Sequence, residues 1–128
     1  MWQGDQLQIH RQWYRQQQEL VVEAIQDLGL SLFSKVPSPT VTAINVPEGI
    51  DGARLRNLLE EKYQLTLMGG QEHLKGKIIR IGHMGDVSKD DIYACIYFLI
   101  EGLRELGHVI EKPTVEQTLV KLRNRLGI

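Results

Sequence analysis

The chain lacks several features that would point to particular classes of protein. Its 128 residues include a single cysteine, Cys95, so no disulfide can form within the chain. Neither this cysteine nor the four histidines have metal-ligand spacing, and the sequence predicts no metal site. No apolar run approaches the length of a membrane span, and the first residues contain no apolar signal segment. We therefore expect a cytoplasmic protein with no membrane partner.

An excess of charge of one sign is also missing. Lysine and arginine together number 15, aspartate and glutamate 16, and the formal net charge is −1. The basic residues are spread along the chain, whereas nucleic-acid-binding proteins usually carry a clustered basic excess. We therefore expect no nucleic-acid partner. Hydrophobic residues make up 42% of the chain and charged residues 24%, which is typical of a globular protein, and the length suits one domain spanning residues 1–128.

Apolar periodicity and cap residues predict four helices and three strands in the order α-β-α-β-β-α-α. The predicted helices run from about Asp5 to Leu28, from Gly52 to Tyr63, from Ser88 to Gly107, and from Thr114 onward. The predicted strands are "VTAINV" at 41–46, "QLTLM" at 64–68 and "KIIRIG" at 77–82. This order predicts an α+β fold with a small sheet of three strands, or four if one more strand joins an edge. The helices would pack on one face of that sheet.

Individual residues set the expected ends of these helices. Gly29 is the predicted stop of the first helix, and Asp51 the N-cap of the second. Ser88 with Asp91 forms a variant of the capping box for the third. Thr114 with Gln117 is the predicted box of the fourth. In the first helix, the glutamines are expected to form a solvated face: Gln12, Gln16, Gln17 and Gln18.

The strand "KIIRIG" carries one arginine among isoleucines. Because side chains alternate along a strand, Ile79 and Ile81 share one face and Arg80 lies on the other, with Ile78. If Ile79 and Ile81 pack under the helices, Arg80 points away from them. Spacing alone favours an ion pair with an acid such as Asp86 or Glu48. The second interpretation is a receptor for a carboxylate or phosphate, whose geometry the guanidinium fork matches.

Three motifs in this order resemble a known family: "SPTVTAINVPEGID", "YQLTLMGG" and "GKIIRIGHMGDVSKDDI". The stretch from about Trp13 to Gly107 is similar to the C-terminal small domain of class V aminotransferases. These are fold-type I enzymes that use pyridoxal phosphate (PLP), and the alanine–glyoxylate and serine–glyoxylate (serine–pyruvate) enzymes are the nearest group. The resemblance implies that Arg80 binds the α-carboxylate of the amino-acid or keto-acid substrate.

Other residues of these motifs are weaker candidates for lining the active site. Gly69 and Gly70 could line its entrance, as in the relatives, although a tight turn is the favoured interpretation. His83 follows the arginine strand and could contact a substrate or a domain interface, but an exposed loop position is favoured.

The resemblance also implies what this chain does not carry. In the family, the lysine that binds PLP, the aspartate that contacts the pyridine nitrogen and the phosphate-binding loop belong to a large domain, which would precede residue 1. We therefore expect no catalytic residue and no bound PLP in this chain alone. Its expected partners are that large domain, a small amino-acid or keto-acid substrate and a second subunit of a homodimer. The complete enzyme would move an amino group from alanine or serine to glyoxylate or pyruvate.

Two other interpretations stand beside this one. Cysteine desulfurases, a related branch, resemble "RxSxG" where this chain has Arg80-Ile81-Gly82, and they need a reactive cysteine on a loop. Cys95 instead has the spacing of a helix core residue and is interpreted as a packing residue. The alternative from another functional class is a free-standing, non-catalytic module. Such a module would bind a small carboxylate or a protein through the uncovered face of the sheet.

Overall fold

The fold was examined in a computed structural model, which describes residues 4–33, 41–70, 76–82 and 88–128. Its helices are α1 (Gly4–Asp27), α2 (Gly52–Tyr63), α3 (Lys89–Glu105) and α4 (Lys112–Leu126). Its strands are β1 (Val41–Asn45), β2 (Met68–Gly69) and β3 (Ile78–Gly82). The order of elements confirms the predicted α+β fold. Within the described ranges, no helix combines the length and apolar character needed to cross a bilayer.

The three strands form one antiparallel sheet in the order β1-β3-β2, so β3 lies in the centre. A fourth strand is not seen among the described residues 28–33. These residues contribute an antiparallel bridge between Leu32 and Ile44 on the outer edge of β1. The prediction of three strands is therefore confirmed, and the extra edge strand is reduced to this bridge.

The hydrophobic core lies between the helices and one face of the sheet. Helix α3 is its centre, because Ile96 and Leu99 are completely buried. Other buried core residues come from α1, α2 and the sheet: Ile25, Leu55, Leu59, Ile44, Ile79 and Ile81. Burying one such side chain contributes about 1.5–3 kcal/mol to folding. The central strand is therefore anchored firmly on its helix side.

Helix ends follow the predicted caps in three of the four helices. The Asp51 carboxylate accepts a hydrogen bond from the Ala53 N–H at 2.9 Å. At the start of α3, Ser88 and Asp91 each accept a hydrogen bond from the other's backbone N–H. Helix α1 ends just before Gly29, whose φ of +82° is the left-handed conformation common after a helix.

Two predicted boundaries are wrong for local reasons. Helix α4 begins at Lys112 rather than Thr114, and Glu111 caps it without a side-chain hydrogen bond. Pro113 in the first turn allows this earlier start, since its fixed φ suits a helix and its missing N–H is not needed there. Strand β2 has two residues and does not begin at Gln64, because Gln64 ends α2 with a φ of 57° and donates its N–H to the Glu60 carbonyl at 3.1 Å. The N–H of Leu65 is also bound to the end of the helix, at the Leu59 carbonyl.

The predicted solvated glutamine face is wrong at Gln17. The side chain of Gln17 is completely buried, whereas that of Gln16 is exposed. Gln17 precedes Val21 by four residues and so continues the stripe of α1 that faces the core. Among the described residues, neither its amide nitrogen nor its amide oxygen has a hydrogen-bond partner. A residue type that prefers water is thus held in the core by its position on the helix.

Candidate carboxylate-binding site

Arg80 lies in the middle of the central strand, on the side of the sheet opposite the helices. Its partners in the register are Ala43 on β1 and Met68 on β2. Residues opposite one another in an antiparallel pair point to the same face. We call the side that carries Ala43, Met68 and Arg80 the Arg80 face. Met68 is 46% exposed there and Arg80 is half-buried, whereas Ile79 next to it is 2% exposed.

The Arg80 face is not open along its whole length. Ile78, two residues earlier on this face, is 5% exposed, although it is not part of the main core cluster. The accessible part therefore centres on Arg80 itself, with the small side chain of Ala43 on one side and Met68 on the other.

The guanidinium of Arg80 is anchored by one of its five N–H groups. Its Nε–H donates to the Gly69 carbonyl oxygen over 3.1 Å. This bond restrains the guanidinium. Within the described ranges it is the one hydrogen bond of the Arg80 side chain, and the two terminal amino groups together form the fork that can bind a carboxylate with two parallel bonds. The strand thus presents an oriented cation.

The other interpretation of Arg80 is an ion pair with Glu48 or Asp86, and only Glu48 lies among the described residues. Glu48 is exposed and, like every other carboxylate of the described ranges, lies beyond ion-pair distance of Arg80. The prediction of a pair with Glu48 is therefore wrong. Asp86 lies outside the described residues, and its pairing stays a prediction.

Gly69 and Gly70 do not form the tight turn that the sequence predicts through a left-handed backbone. Gly69 lies within β2, and neither Gly69 nor Gly70 has the left-handed φ that only glycine adopts readily. The tight-turn interpretation is therefore wrong for Gly69, which uses its missing side chain rather than its flexible backbone. That these glycines line an active site stays a prediction. His83 lies outside the described residues, so its role also stays a prediction.

A second arginine, Arg56 on α2, lies against Gly69. A Cβ atom added to Gly69 would stand 2.8 Å from both Cζ and Nε of Arg56 and 3.0 Å from its Nη2. Nothing in the sequence singles out Arg56, because an arginine in an amphipathic helix normally belongs to the solvated face. Its contact depends on how α2 packs against β2, which periodicity does not show.

Two described lysines are paired with carboxylates. A lysine must lose its proton before it attacks an aldehyde, and a raised pKa disfavours that step. The hydrogen bond from Lys62 to Glu105, at 2.8 Å, raises the pKa of Lys62, and the hydrogen bond to Glu23 raises that of Lys121. The remaining described lysines are exposed on the surface: Lys77, Lys89 and Lys112. That this chain alone holds no PLP stays a prediction.

Cys95 does not have the properties of a nucleophile. It packs against the core, and burial raises the pKa of its thiol to about 12. A thiol with that pKa holds its proton at neutral pH, and the thiolate is the reactive form. The interpretation of Cys95 as a packing residue is confirmed.

Curated relatives with similar sequences include aminotransferases. An uncharacterised aminotransferase of Methanocaldococcus jannaschii is 39% identical over 94 residues, which are 72% of this chain and 24% of that protein. The serine–glyoxylate aminotransferase of Methylorubrum extorquens is 37% identical over 81 residues, 61% of this chain and 20% of that enzyme. A soluble hydrogenase 42 kDa subunit of Anabaena cylindrica is 39% identical over 97 residues, 74% of this chain and 25% of that protein. No protein-family model matches the chain.

Solved structures give the same family and extend the similarity to the fold. The ureidoglycine–glyoxylate aminotransferase of Bacillus subtilis superposes with a TM-score of 0.78 and 27% identity, over 87% of this chain and 30% of that enzyme. The alanine–glyoxylate aminotransferase of a Nostoc species superposes with a TM-score of 0.69 and 31% identity, over 73% of this chain and 26% of that enzyme.

The similarity is confined to one part of these proteins. The chain spans between a fifth and a quarter of the length of the curated relatives named above. Sequence and fold together confirm the resemblance that the three motifs predicted: the chain is related to a part of the aminotransferases of the alanine–glyoxylate and serine–glyoxylate group.

Proposed function

We propose that this chain is the C-terminal domain of a PLP-dependent, class V aminotransferase and that Arg80 binds the α-carboxylate of its substrate. The complete enzyme moves an amino group from a small amino acid, alanine or serine, to glyoxylate or pyruvate. PLP is held by the large domain that the relatives carry, and the parent enzyme is a homodimer of the cytoplasm.

The observation that carries the proposal is the state of Arg80. Its Nε–H is bound to the Gly69 carbonyl, its side chain belongs to the face opposite the helices, and no described carboxylate forms an ion pair with it. Such a guanidinium suits a planar anion, because two parallel hydrogen bonds fix both the position and the direction of a carboxylate. The names of the relatives supply the substrate class, since they act on serine, alanine or ureidoglycine together with glyoxylate.

The role that follows for Arg80 is positional. A transaminase must hold the reacting Cα at a fixed distance and angle from its cofactor, and a clamped carboxylate restricts both. PLP, when bound in the complete enzyme, supplies the electron sink of the reaction. Arg80 supplies none of that chemistry. It determines where the amino acid lies, and its neighbours Ala43 and Met68 limit the space beside the carboxylate.

Arg80→Lys in the complete enzyme, made by joining this chain to its large domain, tests the proposal. Lysine keeps the charge but loses the planar fork. The lost contact should cost on the order of 2–3 kcal/mol of binding free energy, so KM for the amino and keto acids should rise roughly 30- to 150-fold. PLP retention, measured by visible absorption after gel filtration, should not change. Arg54→Lys, an exposed arginine on α2, is the matched control and should leave KM unaltered.

Unaltered KM values in Arg80→Lys would remove Arg80 from the proposed role. The isolated chain gives a second test, since it should neither retain PLP nor transaminate. Turnover by the isolated chain would overturn the proposed division between two domains. Tight binding of glyoxylate or acetate by the isolated chain, with no turnover after the large domain is added, would favour the non-catalytic module.

A further inference from the structure

Gly69 meets two arginines that reach it from different directions. Arg80 donates its Nε–H to the Gly69 carbonyl at 3.1 Å, and the guanidinium of Arg56 occupies the space where a side chain at position 69 would lie. One residue of an edge strand therefore connects the candidate substrate arginine to a second, helical arginine.

The strand register shows that the two arginines lie on opposite faces of the sheet. Gly69 is paired with Ile79, whose side chain lies in the core beneath the helices. A side chain at position 69 would point the same way, so Arg56 contacts Gly69 from the helix side. Met68, the preceding residue, is paired with Arg80 and shares its face. Arg56 is therefore a support behind the sheet and not a second ligand beside Arg80.

Strand β2 is short, and few backbone bonds hold it. It is two residues long, and within the described ranges it pairs with β3 alone. The buried side chain of Leu67 anchors the chain just before the strand, but Gly69 has no side chain to do so at the strand's end. Within the described ranges Arg56 forms no ion pair that would otherwise explain its position, and it is half-buried. Its guanidinium fills the gap between α2 and β2 that the missing side chain of Gly69 leaves. Without it, the Gly69 peptide could shift towards the helices and carry its carbonyl away from Arg80.

We propose that Arg56 is a positioning residue for the substrate site: it packs behind Gly69 and thereby holds the carbonyl that orients the Arg80 guanidinium. This inference rests on the proposed role of Arg80 in binding the substrate carboxylate. It explains why position 69 is a glycine, since a side chain there would collide with Arg56. It also adds to the site a residue that lies on the helix side of the sheet, away from the substrate.

Arg56→Met tests this proposal in two preparations. In the isolated chain, labelled with nitrogen-15, the Arg80 Nε–H resonance reports its bond to Gly69. We expect its exchange with water to accelerate at least about tenfold, because a hydrogen bond to a mobile carbonyl protects it less. In the complete enzyme we expect KM for glyoxylate and for the amino donor to rise roughly three- to tenfold while kcat changes little. Arg54→Met is the matched control and should alter neither quantity.

Gly69→Ala provides an independent route to the same perturbation. The added methyl group would collide with the mobile end of Arg56 and displace it, although both arginines remain in the chain. We expect the same loss of protection at Arg80 Nε–H as in Arg56→Met, which keeps the test decisive if one variant folds poorly. Arg56→Lys should restore protection only in part, since it lacks the planar group.

The outcomes separate this proposal from the one on which it rests. An unchanged Arg80 Nε–H resonance in both Arg56→Met and Gly69→Ala would overturn the positioning role, whatever the kinetics. A raised KM without any change at Arg80 Nε–H would also overturn it. If Arg80→Lys leaves KM unaltered, the proposed substrate role fails, and the exchange rates alone then decide whether Arg56 orients Arg80.

Discussion

The two faces of strand β3 are built from neighbouring residues but follow different rules. Ile79 is 2% exposed and packs among the helices. Arg80, the next residue, lies on the opposite face and is half-buried, with one hydrogen bond and no described carboxylate near it. The Ile79 side chain is fixed by burial of apolar area, whereas the Arg80 side chain is held by a single hydrogen bond among the described residues.

This contrast separates residues that maintain the fold from residues that are free to serve a ligand. A core side chain cannot change without leaving a cavity. A half-buried arginine with a single anchor can leave its position at small cost to the domain, which makes it available for a task outside folding. On this strand, truncation of the candidate ligand-binding residue Arg80 should therefore lower the stability of the domain less than truncation of the core residue Ile79.

The most direct test of this difference is to truncate Ile79 and Arg80 separately. Ile79→Ala should lower the free energy of unfolding by about 2–5 kcal/mol, because it removes buried methylene groups and leaves a cavity. Arg80→Ala should lower it by about 1 kcal/mol or less, the net contribution of one hydrogen bond. Urea unfolding of the isolated chain measures both. Equal losses would show that Arg80 maintains the fold and would weaken its assignment to a ligand.

Gln17 tests the same difference with a polar side chain that is buried in the core. Its amide is completely buried without a partner among the described residues. Gln17→Leu should therefore raise the free energy of unfolding by about 1–2 kcal/mol, because an unpaired amide is costly to bury and leucine is not. Thermal unfolding of the chain checks this.

Gln16→Leu is the matched control for Gln17→Leu, since Gln16 is exposed on the same helix and should give a change near zero. A loss of stability in Gln17→Leu would mean that the amide makes a contact beyond the described part of the chain.

The smallest effect is expected on the solvated surface between α1 and α4. Glu23 pairs there with Lys121 at 2.6 Å and with Arg125. The hydrogen bond from Lys121, assisted by Arg125 and opposed by burial, lowers the pKa of Glu23. Exposed ion pairs contribute at most about 1 kcal/mol, so Glu23→Gln should cost no more than that at neutral pH.

The pH dependence of Glu23→Gln follows from the direction of that shift. Because the pKa of Glu23 is lower in the folded state, its stabilising contribution is complete above the ordinary glutamate pKa, about 4, and is lost as the pH falls through the folded pKa. Urea unfolding of both proteins at several pH values should show the difference vanishing in acid. A difference that persists in strong acid would contradict the assignment.

Local sequence signals predicted much of the fold. The bounds of α2 were predicted as Gly52–Tyr63, because Asp51 is a strong cap and the apolar stripe has clear helical spacing. The face of the sheet to which the Arg80 side chain belongs was predicted from the alternation of side chains along one strand. In both cases the deciding physics acts between residues close in the chain, so a single stretch of sequence contains it.

Features that depend on tertiary packing could not be predicted in the same way. Gln17 is a residue type that favours water, and only its place on the buried stripe of α1 overrides that preference. The contact between Arg56 and Gly69 joins a helix to a strand 13 positions later, and its existence depends on the docking of α2. The start of α4 was misplaced by two residues because two competing helix signals, the cap residue Thr114 and the first-turn Pro113, are adjacent in the sequence.

The two edges of the sheet have a consequence for how the domain associates with other molecules. Along the outer edge of β1, the Phe33 N–H donates to the Ala43 carbonyl at 3.0 Å and the Asn45 N–H donates to the Ser31 carbonyl at 2.9 Å. At the other edge, β2 presents only two residues. Addition of a foreign strand requires a longer row of unpaired backbone groups, so edge-to-edge polymerisation has little template in the described residues. Among the described residues, the side chains on the face that carries Arg80 are therefore the part of the sheet best suited to contact another molecule.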